Sequence, residues 1–313
     1  MPALNRRRFL TISAAAGAVG AGAFAGRALQ AAPLYRWDGV ALGAGASITL
    51  AHPDAERIIG RALAEIARLE AVFSLYRKDS ALTVLNANGS LANPPFELLE
   101  CLALCGTIHS ASGGLFDPTV QPLWRLYAES FAKGAAPLPE AVAAARALVG
   151  WGDVRIGADR IAFARPGMGL TLNGVAQGFI ADRVAALLTA EGLTDVLVDT
   201  GEMRALGGHP DGGAWPVALD VEGTILPDAV SLREMALASS APRGTTFDDA
   251  GLQGHILNPA TGAPSDLPWR LVSVTAPSAA LADALSSAFC LMPREAIVAT
   301  LSAFPSARLV YLG

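Results

Sequence analysis

Cysteine is scarce. Three thiols in 313 residues (Cys101, Cys105 and Cys290) are too few for a domain stapled by disulfides. Cys101 and Cys105 lie four apart on an expected helix, a spacing that a helix does not readily close into a disulfide. All three are therefore expected as small core residues. Histidine is nearly as rare: the four are scattered, with no two at ligand spacing, which disfavours zinc. Positive charge is also short. The net charge of −5 argues against nucleic acid and anionic lipid as partners. The chain has no phosphate-binding loop lysine and no serine nucleophile elbow, and a sugar-hydrolase carboxylate pair cannot be inferred. No proline- or serine-rich linker divides it, so one large domain or two fused subdomains is expected. Apolar side chains are plentiful. At 52% hydrophobic, the chain can fill a sizeable core and is too apolar for disorder.

Residues 1–32 stand apart from the fold. Asn5-Arg6-Arg7-Arg8-Phe9-Leu10 is a basic stretch with the twin-arginine pattern, followed by an Ala/Gly-rich run over 12–25 and small residues at 28–32. That run is too short and too weakly apolar to hold a bilayer, and small residues suited to cleavage follow it. A cleaved signal for twin-arginine (Tat) export is expected, with the periplasm as destination and no stable membrane insertion. Residues 33–313 then carry 19 basic and 28 acidic side chains, a balance of −9.

Apolar positions 58, 59, 62, 63, 66, 69 and 73 recur at helical spacing, so a long amphipathic helix is expected over 55–73, after a strand at 40–50 and a turn capped by Asp54. Further helices are expected at 96–110, 140–149, from about 174 toward 191, at 279–292, and just before the last strand. Strands are expected at 154–156, 160–163, 170–172, 195–199, 215–221, 231–238, 271–275 and 308–312. Residues 114–124, with Pro118 and Pro122, have no helical period and read as a rigid loop holding an aromatic and a carboxylate. Helices and strands mix without regular alternation, which points to α+β rather than a Rossmann fold.

The stretch that organises the functional reading is 170–182, L-T-L-N-G-V-A-Q-G-F-I-A-D. Glycines at a junction leading into a helix let backbone approach a ligand, and the helix N-terminus favours an anion such as phosphate. Gly-x-x-x-Gly equally serves close helix packing. A second strand–turn–helix at 271–291 also carries Ala-Asp near its helix start, which suggests a duplication. There Asp283 and Ser287, four apart, project oxygens from one helical face, as a Mg²⁺ site would need. On spacing alone, a carboxylate that favours the helix N-terminus explains Asp283 as well. His255 in a polar loop reads as a base or as a hydrogen-bonded side chain, and Asp117 as an Asx-turn former or a ligand contact.

Taken in order, residues 73–86 (F-S-L-Y-R-K-D-S-A-L-T-V-L-N), 114–123, 170–182, 199–207, 255–264 and 272–289 resemble the ApbE-type FAD:protein FMN transferases along nearly all of 33–313. The surroundings of N-G-V-A-Q-G-F-I-A-D-R-V look closest to the NosX-like branch. The resemblance implies an α+β, T-fold-like architecture with two fused, duplicated subdomains around a flavin cleft. It implies Mg²⁺-dependent transfer of FMN from FAD to a Thr or Ser hydroxyl of a recipient flavoprotein, with AMP released, and a NosR-like respiratory recipient. Asp283 and Ser287 match the metal ligands, with the Ala176 carbonyl as a third. Tyr76, Leu115, Phe116, Asp117, Asn173, Gln177 and Ile256 fall where FAD is contacted, and His255 matches the base. Four places depart from the family pattern. Gln177 stands where many relatives have Lys, and Leu42-Gly43-Ala44 where they have Met-Gly-Thr. Asn258 replaces an Asp, and Ser239-Ser240-Ala241-Pro242 replaces Ser-Gly-Asp-Tyr.

Overall fold

The structure, a computed structural model, describes residues 33–313, and the expected export signal lies outside them. The described chain begins with a hairpin, β1 (Leu34–Ala41) and β2 (Ala44–Ala51), where a single strand over 40–50 was expected. The turn is Leu42-Gly43, both at positive φ (48° and 85°), a two-residue connection whose twist matches that of the strands. The Leu42 N–H donates to Glu70 Oε1 at 2.7 Å and ties the turn to α1 (Ala55–Phe73). That helix has the expected bounds and buries Ile58, Ile59, Ala62, Ile66, Leu69 and Phe73. Asp54 precedes it without a side-chain cap.

Next come α2 (Ala81–Asn88), β3 (Ser90–Ala92) and α3 (Phe96–Ala111). Residues 114–124 are not one loop. Asp117 caps a 3-10 turn at Pro118–Val120, and α4 (Gln121–Ala132) follows at once. Pro122 masks the helical pattern in the sequence, yet it sits in the first turn of α4, where no N–H partner is needed. After α5 (Pro139–Arg146), β4 (Val154–Ile156) and β5 (Arg160–Phe163) form the expected hairpin, with β3 added on the far side of β5. Leu170 and Leu172 are buried, with Thr171 half-buried between them, but 170–172 form no strand. Leu170 is held at both backbone groups by the Asn86 side chain (2.7 and 2.8 Å), and the Thr171 N–H donates to Pro118 O. A buried extended segment satisfied from the side shows the same pattern as a strand.

Helix α6 (Ala176–Ala190) leads into β6 (Val196–Asp199) and β7 (Met203–Leu206). The two longer strands expected at 215–221 and 231–238 are divided. The first gives β8 (Trp215–Val217) and β9 (Asp220–Val221), with β10 (Thr224–Ile225) pairing back. The second gives β11 (Val230–Leu232) and β12 (Ala236–Ser240), broken at Glu234, whose φ of 52° turns the chain. Strand β13 (Val272–Ala276), α7 (Ala279–Phe289), α8 (Arg294–Leu301) and β14 (Arg308–Leu312) complete it.

The main sheet has seven antiparallel strands in the order β1-β2-β6-β7-β12-β13-β14. Helices α1, α6 and α7 pack on one face. Val196 and Val198 point toward them. Leu197 points to the opposite face, where it joins Met203, Trp215, Val217 and Leu237 beneath the short strands. Antiparallel pairing throughout makes the fold α+β. All three cysteines are buried free thiols, as expected.

Candidate active site

Two helix starts meet over the sheet and cap each other. The Asp182 carboxylate on α6 accepts from Ser278 Oγ (2.7 Å) and from the N–H groups of Ala279 (2.8 Å) and Ala280 (2.9 Å) at the start of α7. In return, the Asp283 carboxylate on α7 accepts from the Gly178 N–H on α6 at 3.2 Å. Each aspartate stands four residues beyond the helix-start position that the other one binds. The Ala-Asp echo in the sequence is thus an exchange of caps. Gly178 permits the approach, since a Cβ there would collide with the Ala279 backbone. A Cβ on Gly174 would come within 2.7 Å of Ser287 Oγ, so that glycine lets the 173–178 turn lie against α7. One glycine serves helix packing and the other a close approach at the cleft.

A cleft opens beside this junction. Its lining includes Leu115, Phe116, Asp117, Asn173, Gln177, His255, Ile256, Asp283 and Ser287, nine of the residues singled out in the sequence. Tyr76 and Ala176 are not among them. Tyr76 follows α1, more than half exposed, and Ala176 is buried at the first position of α6. Residues given no role in the sequence also line the cleft: Glu202, Trp124, and Ser239–Ala241 at the end of β12, noted before only as a departure from the family pattern. Glu202 follows Gly201 inside the 199–207 stretch, which carried the resemblance without assigning this side chain a role.

The cleft is acidic. Asp117, Glu202 and Asp283 line it, all buried, and among the described residues no Lys or Arg does. Asp117 spends Oδ1 on the Thr119 N–H (2.8 Å) and hydroxyl (2.6 Å), an Asx turn that shapes the wall. Burial pushes the Asp283 carboxyl up to about 7, with Asp182 adding to the rise and the Gly178 N–H opposing it. Burial likewise raises the Glu202 carboxyl well above the usual range, and Asp283 raises it further. The Ser239 N–H donates to Glu202 Oε2 at 3.1 Å.

These residues fit a divalent cation better than a bare carboxylate site. Buried carboxylates without a counter-charge are costly, and hydroxyl, carboxylate and carbonyl oxygens are the hard donors that Mg²⁺ takes. No group of three or more His, Cys, Asp and Glu side chains among the described residues could hold a metal alone. Oxygens of a substrate would have to complete the shell, as is usual for Mg²⁺ on phosphates.

His255 lies in the loop after a bridge between Thr246 and Gly254. Its Nδ1 is 3.0 Å from the Thr245 carbonyl oxygen. A carbonyl only accepts, so Nδ1 carries the proton and Nε2 keeps its lone pair. Burial lowers the pKa from the ordinary 6.5, which keeps the ring neutral at neutral pH. Asn258 Oδ1 accepts from the N–H groups of Ala260 (2.9 Å) and Thr261 (3.3 Å), the turn-forming task an aspartate would also perform. The Gln177 side chain lies against Gly201, whose positive φ of 101° leaves no room for a Cβ.

The fold is that of the ApbE flavin transferases. The Pseudomonas stutzeri flavinyl transferase ApbE in its apo form superposes with a TM-score of 0.77 at 28% identity, covering 88% of this chain and 89% of that one. The ApbE protein of Thermotoga maritima gives 0.79 at 25% identity, covering 88% and 93%. The chain belongs to the ApbE family, whose model matches residues 42–310. Among curated relatives, the FAD:protein FMN transferase of Treponema pallidum is 32% identical over 265 residues, 78% of this chain and 73% of that protein. The Haemophilus influenzae protein of the same name is 29% identical over 235 residues, 70% and 68%.

Proposed function

We propose that this protein is an FAD:protein FMN transferase that uses Mg²⁺ and attaches FMN to a Thr or Ser hydroxyl of a recipient flavoprotein. The observation that carries the reading is the composition of the cleft: three buried carboxylates, no Lys or Arg, and a neutral imidazole whose Nδ1 donates to the Thr245 carbonyl. A diphosphate cannot enter such a site without a cation, and an incoming hydroxyl needs a proton acceptor there.

Asp283 and Ser287 would hold the Mg²⁺, with the Ala176 carbonyl as a further candidate at the start of α6. Held by these residues, Mg²⁺ would supply charge neutralisation and alignment, the larger part of phosphoryl-transfer catalysis. Asn173 and Gln177 on the glycine turn and Leu115, Phe116 and Ile256 on the opposite wall would contact FAD, with Tyr76 reaching it from outside the cleft. The enclosed volume, about 180 Å³, is below what a drug-sized ligand fills, so most of the dinucleotide would lie across the open mouth. The recipient's hydroxyl oxygen bonds to the FMN phosphorus while the bond from that phosphorus to the bridging oxygen breaks. His255 Nε2 takes the hydroxyl proton and AMP leaves.

The twin-arginine pattern supports export by the Tat route to the periplasm, with residues 33–313 as the transferase domain. The motif over 173–184 supports a place in the NosX-like branch and a NosR-like respiratory recipient. The test is incubation of purified protein with FAD, Mg²⁺ and a recipient domain, followed by mass spectrometry. A recipient heavier by FMN, with stoichiometric AMP, is expected, and Asp283→Ala is expected to abolish it. Free FMN without labelling would show a pyrophosphatase instead, and intact FAD with no labelling a flavin carrier.

A further inference from the structure

Three serine hydroxyls are hydrogen-bonded in series, Ser287 and Ser240 on the cleft wall and Ser286 behind it, and the direction of each proton follows from one fixed end. Ser286 Oγ is 3.0 Å from the Asp283 carbonyl oxygen, which can only accept, so the single Ser286 proton is spent there. Ser240 Oγ is 2.7 Å from Ser286 Oγ, so Ser240 must be the donor of that bond. Ser240 Oγ also lies 3.3 Å from Ser287 Oγ, and its own proton is already committed. Ser287 must therefore donate to Ser240. Its proton is directed to Ser240 Oγ, and its lone pairs are left free for a ligand in the cleft. Ser286 is fully buried and Ser240 nearly so, so no bulk water competes for these hydrogens.

From this we infer that Ser240 is a positioning residue that acts through Ser287: it draws off the Ser287 proton so that this hydroxyl presents its lone pairs to the cation. The inference rests on the reading of Ser287 as a cation ligand. Ser240 touches neither cation nor FAD in this role. A hydroxyl is a poor ligand when its hydrogen is free to swing toward a positive charge, and an accepting neighbour on the far side removes that freedom. Ser286 sets the polarity of the line. Without it, the Ser240 proton would turn toward Ser287 and occupy one of the lone pairs.

The test is a double-mutant cycle on the FAD-loaded protein, with Mn²⁺ as the probe and the signal of free aqueous Mn²⁺ in electron paramagnetic resonance as the readout. FAD binding in chelator is measured in parallel by fluorescence. Ser240→Ala and Ser286→Ala are each expected to weaken Mn²⁺ binding by about 10-fold, the effect typical of a residue that orients a ligand. The double variant is expected to lose about the same 10-fold, since Ser286 has nothing left to orient once Ser240 is gone. FAD binding in chelator should stay within about two-fold. Unchanged Mn²⁺ affinity in Ser240→Ala, or losses that multiply in the double variant, would overturn the inference. Ser287→Ala separates the two levels. If it leaves Mn²⁺ binding intact, the ligand reading fails first. If it weakens binding and Ser240→Ala does not, the relay alone fails.

Discussion

Gly174 and Gly178 share a motif and are glycine for different neighbours. A methyl on Gly178 would meet the backbone of Ala279 and Ala280, which cannot move without lifting α7 off α6. Gly178→Ala is expected to cost about 1–3 kcal/mol, the range for overpacking, and to lower the thermal midpoint by about 2–8 °C. A methyl on Gly174 would meet the Ser287 side chain instead. Gly174→Ala is expected to leave the midpoint within about 2 °C and to weaken Mn²⁺ binding, because the hydroxyl can turn away where a backbone cannot. His255 makes a separate prediction. Its neutral form is the base, and burial disfavours the imidazolium, so the acid limb of the transfer rate should fall below the ordinary histidine pKa of 6.5. At saturating Mg²⁺, where the bound cation keeps Asp283 ionised, a rate profile against pH with its acid midpoint above 6.5 would count against His255 as the base. His255→Ala should lower transfer by about 10²–10⁴-fold with far less effect on FAD binding, measured by single-turnover labelling and fluorescence titration.

At the scale of elements, what could be read from the chain depends on whether a local pattern had a local cause. Helix α1 was legible to the residue because its apolar spacing faces one sheet and nothing interrupts it. Helix α4 was not, because two prolines in five residues look like a loop until one is seen to fall in a helix's first turn. The Leu-Thr-Leu triplet 170–172 looked like a strand because burial and not pairing selects its leucines; its backbone partners are Asn86 and Pro118, far away in sequence. The paired Ala-Asp motifs were visible as an echo, whereas their exchange of caps needs the two helices side by side. That exchange gives a prediction. Asp182→Ala leaves the Ser278 hydroxyl and two α7 N–H groups without their acceptor, with an expected loss of about 1–3 kcal/mol read by chemical denaturation. Asp182→Asn keeps one acceptor oxygen and should recover much of it. Equal losses in the two variants would mean that charge, including the Arg204 contact at 3.5 Å, matters more than the cap.

For the whole molecule, the cleft is assembled from segments near 116, 174, 202, 240, 255 and 285, which only the strand order of the sheet brings together. Six ordered motifs were enough to name most of the wall. Glu202 and Ser240 lay in stretches already marked but received no role, because their significance lies in what they face at the ends of the sheet's central strands. The absence of lysine and arginine from the wall is likewise a property of the assembled cleft, and it sets how the protein must handle its substrate. Residues 33–313 carry a balance of −9, and the cleft itself holds three buried carboxylates. The far field therefore repels a diphosphate, and the near field adds to this as the buried carboxyls ionise. In chelator, FAD should bind at least about 10-fold more weakly than in saturating Mg²⁺, a coupling of ordinary size between two ligands at adjoining sites. Sodium chloride should tighten the chelated binding, since screening over about 10 Å at 0.1 M weakens repulsion, and should change the Mg²⁺-loaded binding little. Fluorescence titration of FAD across both series checks this. Equal FAD affinity with and without the cation would mean that the diphosphate lies away from Asp283 and Glu202, and the assignment of this cleft to phosphoryl transfer would have to be given up.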